Sequence, residues 1–314
     1  MRNFFDYFLS NYLMKLKILT WNLNFFYDNW YNRIISINKV LEKEISTNDI
    51  IVLQEATIPY LKTPGSIYTC LKKSCLNYSY HHTFSDEIKI ISDKLKGYYP
   101  EKQEKIMTLF AYFMDKLLLV SSYFFSKFGH ILQNLYFTQP LLCSILAIFF
   151  FPIIIFGGYM FLGMMTIINK KIKTTVKSKF VGRLFQYCEF TYNKKDILLC
   201  NLHLNEGNDS NKGYKEFQKI LDFIKSKTVD VVILAGDFNS PPTSKIYKQL
   251  YEEGFKSTIK EINEKDIKTW PSLNPTTCID YIWVKGDVEI CSADVFGDNN
   301  STDHKGVRCC IDIQ

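Results

Sequence analysis

The spacing of apolar residues changes several times along the chain, and each change marks a predicted element. Lys15-Leu16-Lys17-Ile18-Leu19 alternates polar and apolar, the period-two pattern of a strand with one wet face. Trp30, Ile34, Ile37, Leu41 and Ile45 then recur at three- and four-residue spacing, which predicts an amphipathic helix behind Asp28. Ile50-Ile51-Val52-Leu53 follows Asn48-Asp49 and is short and β-branched, as a buried strand requires. The same grammar resumes at residue 163. Ile197-Leu198-Leu199-Cys200 and the run from Val229 to Leu234 predict buried strands, and Tyr214, Phe217, Leu221 and Ile224 between them predict a helix. Ile279 to Val284 and Gly306 to Ile313 predict two further strands. Strands and helices alternate irregularly, which favours stacked sheets with outer helices over a simple parallel wind.

The middle of the chain follows another pattern. From Phe128 to Asn169 there is no Lys, Arg, Asp or Glu, and Leu141 to Ile168 is close to continuously apolar, broken by Pro152 and Gly157-Gly158. This exceeds the roughly 20 residues that cross a bilayer. Upstream, Ile106 to Phe128 reads as an amphipathic helix rather than a clean span, because Asp115 and Lys116 would each cost about 2.5–3.5 kcal/mol in a membrane core. The expected organisation is an N-terminal extension over 1–14, then one catalytic domain over 15–314, interrupted by a hydrophobic helical insertion over 100–162.

Composition adds bounds. With 314 residues, 47% of them hydrophobic, the chain can bury a sizeable core, and disorder is excluded as its general state. A net charge of +6 suits a phosphate-bearing partner without naming one. Nine cysteines without a C-x-x-C pair argue for reduced thiols rather than a disulfide framework. The first 14 residues carry Arg2 and Asp6 and lack a small-residue cleavage site, so a secretory signal is not expected.

Polar residues stand repeatedly at the ends of the predicted strands. They are Thr20-Trp21-Asn22, Gln54-Glu55, Asn201-Leu202-His203-Leu204, Gly236-Asp237-Phe238-Asn239, Asp280 inside Cys278-Ile279-Asp280-Tyr281-Ile282, and Thr302-Asp303-His304. Loops converge at strand ends while the sheet stays rigid, so ligand sites collect there. Carboxylates and amides suit a hard cation such as Mg²⁺. Each motif alone has a plain structural explanation: Asp237 and Asn239 before Ser240-Pro241-Pro242 make a good Asx-turn, and a lone His203 is more often a core histidine. Six such motifs in this order are harder to explain that way.

Through these motifs the sequence resembles the endonuclease/exonuclease/phosphatase superfamily, over residues 15–95 and 163–314. Gly163 to Ile168, followed by Asn169-Lys170-Lys171, also looks like a family strand with its basic turn. The resemblance implies an α/β four-layer sandwich, two packed mixed β-sheets flanked by helices. It implies a phosphodiesterase using Mg²⁺, with Mn²⁺ as the alternative, bound by Glu55 with help from Asn22 and Asp303. Asp237 and Asn239 would orient the nucleophile and the phosphate, His304 held by Asp280 would be general base or electrostatic stabiliser, and His203 would bind phosphate or aid the leaving group. An Asp-oriented His can move a proton near neutral pH, and a cation offsets charge on phosphoryl oxygens. Two positions depart from the family pattern. Cys278 stands where a basic residue is usual, and Gly306 where Pro is usual.

The substrate reading rests on the insertion. His203, where the abasic-site endonuclease branch carries Tyr, and the lack of a clustered Arg groove point away from nucleic acid. Asn22 and Glu55 precede the apolar run while His203 and Asp237 follow it, so both its ends must lie on one side of any membrane. Lys170, Lys171, Lys173, Lys177 and Lys179 after it form a basic strip suited to anionic headgroups. The expectation is a membrane-associated enzyme with a cytosolic catalytic domain, cutting a lipid headgroup phosphodiester in the manner of a neutral sphingomyelinase. A nuclease or inositol-phosphate phosphatase is the alternative enzyme, and an inactive membrane-anchored binding homologue is the alternative of another class. No protein partner follows from the sequence.

Overall fold

The computed structural model describes residues 15–24, 30–56, 77–82, 163–180, 184–205, 211–299 and 301–314. The extension over 1–14 and the insertion over 100–162 lie outside these residues.

The described residues form two six-stranded mixed sheets. The first runs β11 (Val288–Phe296), β12 (Gly306–Ile313), β1 (Lys15–Asn22), β2 (Ile50–Ala56), β4 (Gly163–Asn169), β3 (Tyr78–His82). The second runs β5 (Val176–Phe180), β6 (Leu184–Tyr192), β7 (Lys195–His203), β8 (Val231–Asp237), β10 (Asp280–Lys285), β9 (Lys256–Ser257). The parallel pairs are β1 with β2 and β7 with β8, and the other neighbours are antiparallel. Each parallel pair is joined by a crossover helix, α1 (Trp30–Ile45) and α2 (Asn211–Lys225). Two shorter helices follow, α3 (Lys245–Glu252) and α4 (Thr258–Asn263).

Strand alternation assigns the layers. Leu16 and Ile18 of β1, Ile50 and Val52 of β2, Ile197 and Leu199 of β7, Val231 and Ile233 of β8, and Ile282 and Val284 of β10 share one apolar core between the sheets. The intervening residues of the second sheet, Leu198, Cys200, Leu202, Val232 and Leu234, face outward into a second cluster with Phe217, Ile220, Leu221 and Ile224 of α2 and Ile246 and Leu250 of α3. On α1, the predicted stripe buries Ile37, Leu41 and Ile45. Helix α3 starts where Ser244 Oγ accepts the Tyr247 N–H, a side-chain cap.

The basic strip is an exposed turn and a sheet edge. Lys170, Lys171 and Lys173 are exposed after β4, and Lys177 and Lys179 are the outward residues of edge strand β5. Lysines on an edge strand discourage pairing with other chains, which needs no lipid. Among the described residues, no helix is long and apolar enough to cross a membrane.

Candidate active site

The inner-face positions of the central strands grade from apolar to polar along their length. In β1 they read Leu16, Ile18, Thr20, Asn22; in β2 Ile50, Val52, Gln54; in β7 Ile197, Leu199, Asn201, His203; in β8 Val231, Ile233, Ala235, Asp237. Register aligns the ends: Asn22 pairs with Gln54, His203 with Asp237, and Asp237 with Asp280 at the start of β10. One rim of the sandwich therefore collects the polar termini of five strands.

Just inside the rim lies a buried amide and hydroxyl network that spans the two sheets. Gln54 Nε2 donates to Asn201 Oδ1 at 2.8 Å and to Thr20 Oγ1 at 3.1 Å. Asn201 Nδ2 faces the carbonyls of Leu53 and Met165 at 3.3 Å, and Thr166 Oγ1 donates to Gln186 Oε1 at 2.7 Å. Buried polar groups cost little only when satisfied, so this layer ties the sheets together at a fixed spacing beneath the site. Gln54 can serve this layer while Glu55 serves the rim because the β2–β4 register shifts between Leu53 and Ala56, and Glu55 takes a left-handed φ of 49°. Such bulges re-aim side chains next to active sites.

Asp237 is the centre of the rim. Its Oδ2 accepts from Asn22 Nδ2 at 2.9 Å and lies 3.8 Å from His203 Nε2 and 3.9 Å from His304 Nε2. Its Oδ1 accepts the Asn239 N–H at 2.8 Å, and Asn239, at φ 47°, turns its own amide to the Leu204 carbonyl at 2.9 Å. Glu55 Oε1 is 3.7 Å from His203 Nε2. His304 Nδ1 meets Asp280 Oδ2 at 3.0 Å, which leaves Nε2 facing Asp237 and, at 3.9 Å, Asp303 Oδ1. The structure thus brings together Asn22, Glu55, His203, Asp237, Asp280, Asp303 and His304, with Asn239 joined through its backbone.

The electrostatics follow from packing three aspartates around two imidazoles. Burial and the neighbouring Asp280 push the Asp237 carboxyl up to about 7, against the pull of His304, Asn22 and the Asn239 N–H. Burial opposes charge on His304 as well, but Asp280, Asp237 and Asp303 outweigh it and raise the imidazole to about 10. The surplus of buried acid and the all-oxygen offer of Glu55, Asn22, Asp237 and Asp303 fit a hard divalent cation. Asp237, Asp280 and His304 also stand close enough to share one ion. Asp280 and His304 are already hydrogen-bonded to each other, however, so the oxygens on the Glu55 side are the better ligands.

Several residues of the rim escaped the strand-end pattern. Trp270 Nε1 donates to Asp303 Oδ2 at 3.1 Å while its ring stays 40% exposed. Thr269 Oγ1 receives the N–H groups of Ile279 and Asp280, while Trp21, inside the strand-end motif Thr20-Trp21-Asn22, donates from Nε1 to the His304 carbonyl at 3.0 Å. Trp270 lies in the irregular segment between α4 and β10, where periodicity carries no signal. The two departures from the family pattern also find their surroundings. Gly306 fits because a Cβ there would lie 2.2 Å from the Phe296 ring, which stacks edge-on against Trp21. Cys278 is buried in the outer cluster beside Phe238 and Tyr281, and that burial raises its thiol.

Residues 19–304 match the sequence profile of the Endonuclease/Exonuclease/phosphatase family, and the chain belongs to that family, whose members are typically metal-dependent phosphoesterases. Solved structures share its fold. D. rerio TDP2, complexed with single-strand DNA product, is 14% identical at TM-score 0.59, over 95% of this chain and 98% of that one. A functionally unknown conserved protein from Enterococcus faecalis is 12% identical at 0.57, over 95% and 100%. An endonuclease/exonuclease/phosphatase family protein from Leptotrichia buccalis is 15% identical at 0.55, over 94% and 99%. Among curated proteins no sequence matches. These likenesses correct the membrane-associated localisation read from the apolar run. The D. rerio and Leptotrichia buccalis matches cover 95% and 94% of this chain, and among its described residues no helix is long and apolar enough to cross a membrane.

Proposed function

We propose that the chain is a Mg²⁺-dependent phosphodiesterase whose substrate is a nucleic-acid strand. The observation that carries this reading is the buried Asp237 carboxylate, set between two imidazoles and the Asn22 amide at the convergence of both sheets. Glu55, Asn22 and Asp303 would hold the ion, Mg²⁺ or Mn²⁺, which supplies charge neutralisation at the phosphoryl oxygens. The remaining roles fall to the protein. Asp237, raised to about 7, accepts a proton from attacking water near neutral pH. His304, raised to about 10, stays protonated and presents an Nε2–H toward the phosphoryl oxygens, oriented by Asp280. This makes His304 an electrostatic stabiliser rather than a base. His203 would bind phosphate or assist the leaving oxygen, and Asn239 holds Asp237 in orientation through its N–H.

Support for nucleic acid over a lipid headgroup comes from two directions. The lipid preference rested on membrane association, which the likeness to solved structures of this fold does not support. The exposed face of Trp270, beside Asp303, offers a base a stacking platform worth about 1–3 kcal/mol, and a related fold carries single-strand DNA product. The test compares hydrolysis of a single-stranded oligonucleotide, sphingomyelin micelles and an inositol phosphate in Mg²⁺, by wild type and Trp270→Ala. The reading expects oligonucleotide cleavage, with KM raised roughly 5- to 150-fold by the substitution. Preferential sphingomyelin turnover, indifferent to Trp270→Ala, would refute it.

A further inference from the structure

Arg33 is a buried cation on α1 to which the chemistry above gives no part. Only 3% exposed, it donates from Nη1 to the carbonyls of Leu23 at 3.2 Å and Ser301 at 2.8 Å, and from Nη2 to the carbonyl of Asn24 at 2.6 Å. These carbonyls belong to two loops remote in sequence. One follows β1 and Asn22; the other precedes β12 and carries Asp303 and His304. A planar guanidinium can bridge three carbonyls in a fixed fork, which a single ammonium point charge cannot. Ser36, also on α1, adds a 2.7 Å hydroxyl contact to Ser301.

Asn24 stands between the two loops. Its N–H donates to Asn22 Oδ1 at 2.9 Å, and its Nδ2 donates to Asp303 Oδ1 at 2.9 Å. Its φ of 31° is positive, a conformation Asn tolerates better than most residues. Asn22 in turn reaches Asp237. A continuous path therefore runs from helix α1 through Arg33 and Asn24 to the amide and the carboxylate assigned to the cation.

We infer that Arg33 and Asn24 form a latch that fixes Asn22 and Asp303 at the spacing divalent-metal binding requires, so that both are positioning residues for the ion. The inference rests on the reading of this rim as a Mg²⁺ site. Its physical basis is that groups orienting metal ligands typically change metal affinity by about 10- to 100-fold when removed.

The test is calorimetric titration of the substrate-free protein with MgCl₂, for wild type, Asn24→Gly, Arg33→Met and Glu55→Gln. Asn24→Gly keeps the N–H to Asn22 and accommodates the positive φ, so it removes only the bond to Asp303. It should bind Mg²⁺ about 10- to 100-fold more weakly than wild type, with a melting temperature in EDTA close to wild type. In assays the Mg²⁺ needed for half-activity should rise by the same factor while the rate at saturating Mg²⁺ returns toward wild type. Arg33→Met should show the same shift, and if it fails to fold, Asn24→Gly decides. A variant that melts earlier in EDTA but binds Mg²⁺ as wild type does has a structural role only, and overturns the latch. If Asn24→Gly binds normally while Glu55→Gln does not, the latch is wrong and the metal reading stands. If wild type binds no Mg²⁺, both fall.

Discussion

In the proposed reaction, Asp237 and His304 would divide the chemistry through their surroundings more than through their identities. Each is buried and each is shifted toward its protonated form, Asp237 by burial and Asp280, His304 by its three aspartates against the opposing effect of burial. The consequence for stability has a definite sign. His304 binds its proton more tightly folded than unfolded, so its contribution is fully present below the ordinary pH 6.5 and is lost as pH rises toward about 10. In EDTA, the urea midpoint of wild type should fall across that window, and Asp280→Asn should flatten the fall, because it removes the group hydrogen-bonded to Nδ1. A midpoint unchanged between pH 6.5 and 10 would remove the basis for a protonated His304. Glu55→Gln keeps size and shape but is a poorer ligand for a hard cation. It should lose the Mg²⁺-induced rise in melting temperature while melting as wild type does in EDTA, and an undiminished rise would take Glu55 out of the ligand set.

At the scale of elements, one rule places most of the rim: inner-face positions are apolar where the sheets pack and polar where the strands end. That rule was readable before any coordinates. Thr20-Trp21-Asn22 follows an alternating run and Gly236-Asp237-Phe238-Asn239 a buried apolar one, so both were legible as polar strand ends. Contacts that depend on loop conformation were not readable. Nothing in the spacing of Leu23-Asn24 or Thr269-Trp270 shows that Asn24 and Trp270 would both grip Asp303, since neither lies in a periodic segment. The strand ends also impose close backbone contacts. Gly236 has φ 151°, and a Cβ there would stand 1.9 Å from the Leu202 carbonyl oxygen, so the β7–β8 pair can close beside Asp237 only over glycine. Gly236→Ala should destabilise the fold by at least about 2 kcal/mol through overpacking, measured by urea denaturation in EDTA. A loss under about 0.5 kcal/mol, the range of an ordinary surface change, would show that β7 and β8 can spread without cost.

At the scale of the whole molecule, two six-stranded sheets flanked by helices bring together residues separated by most of the chain, from Asn22 to His304. The stacked sheets with outer helices expected from the spacing agree with that architecture, because period-two and helical spacings are local signals that survive without tertiary context, and so does the four-layer sandwich that the family resemblance implied. The membrane localisation read from the apolar run did not fare as well: the likeness to solved structures of this fold does not support it. The central claim, Mg²⁺-dependent hydrolysis of a phosphodiester at Asp237, is most directly tested by following bis(p-nitrophenyl) phosphate cleavage in MgCl₂ and in EDTA, with wild type and a folded Asp237→Asn variant. The account predicts that wild-type cleavage requires Mg²⁺ and that the variant is slower by about 100-fold or more. Cleavage that continues in EDTA, or an Asp237→Asn variant as fast as wild type, contradicts it.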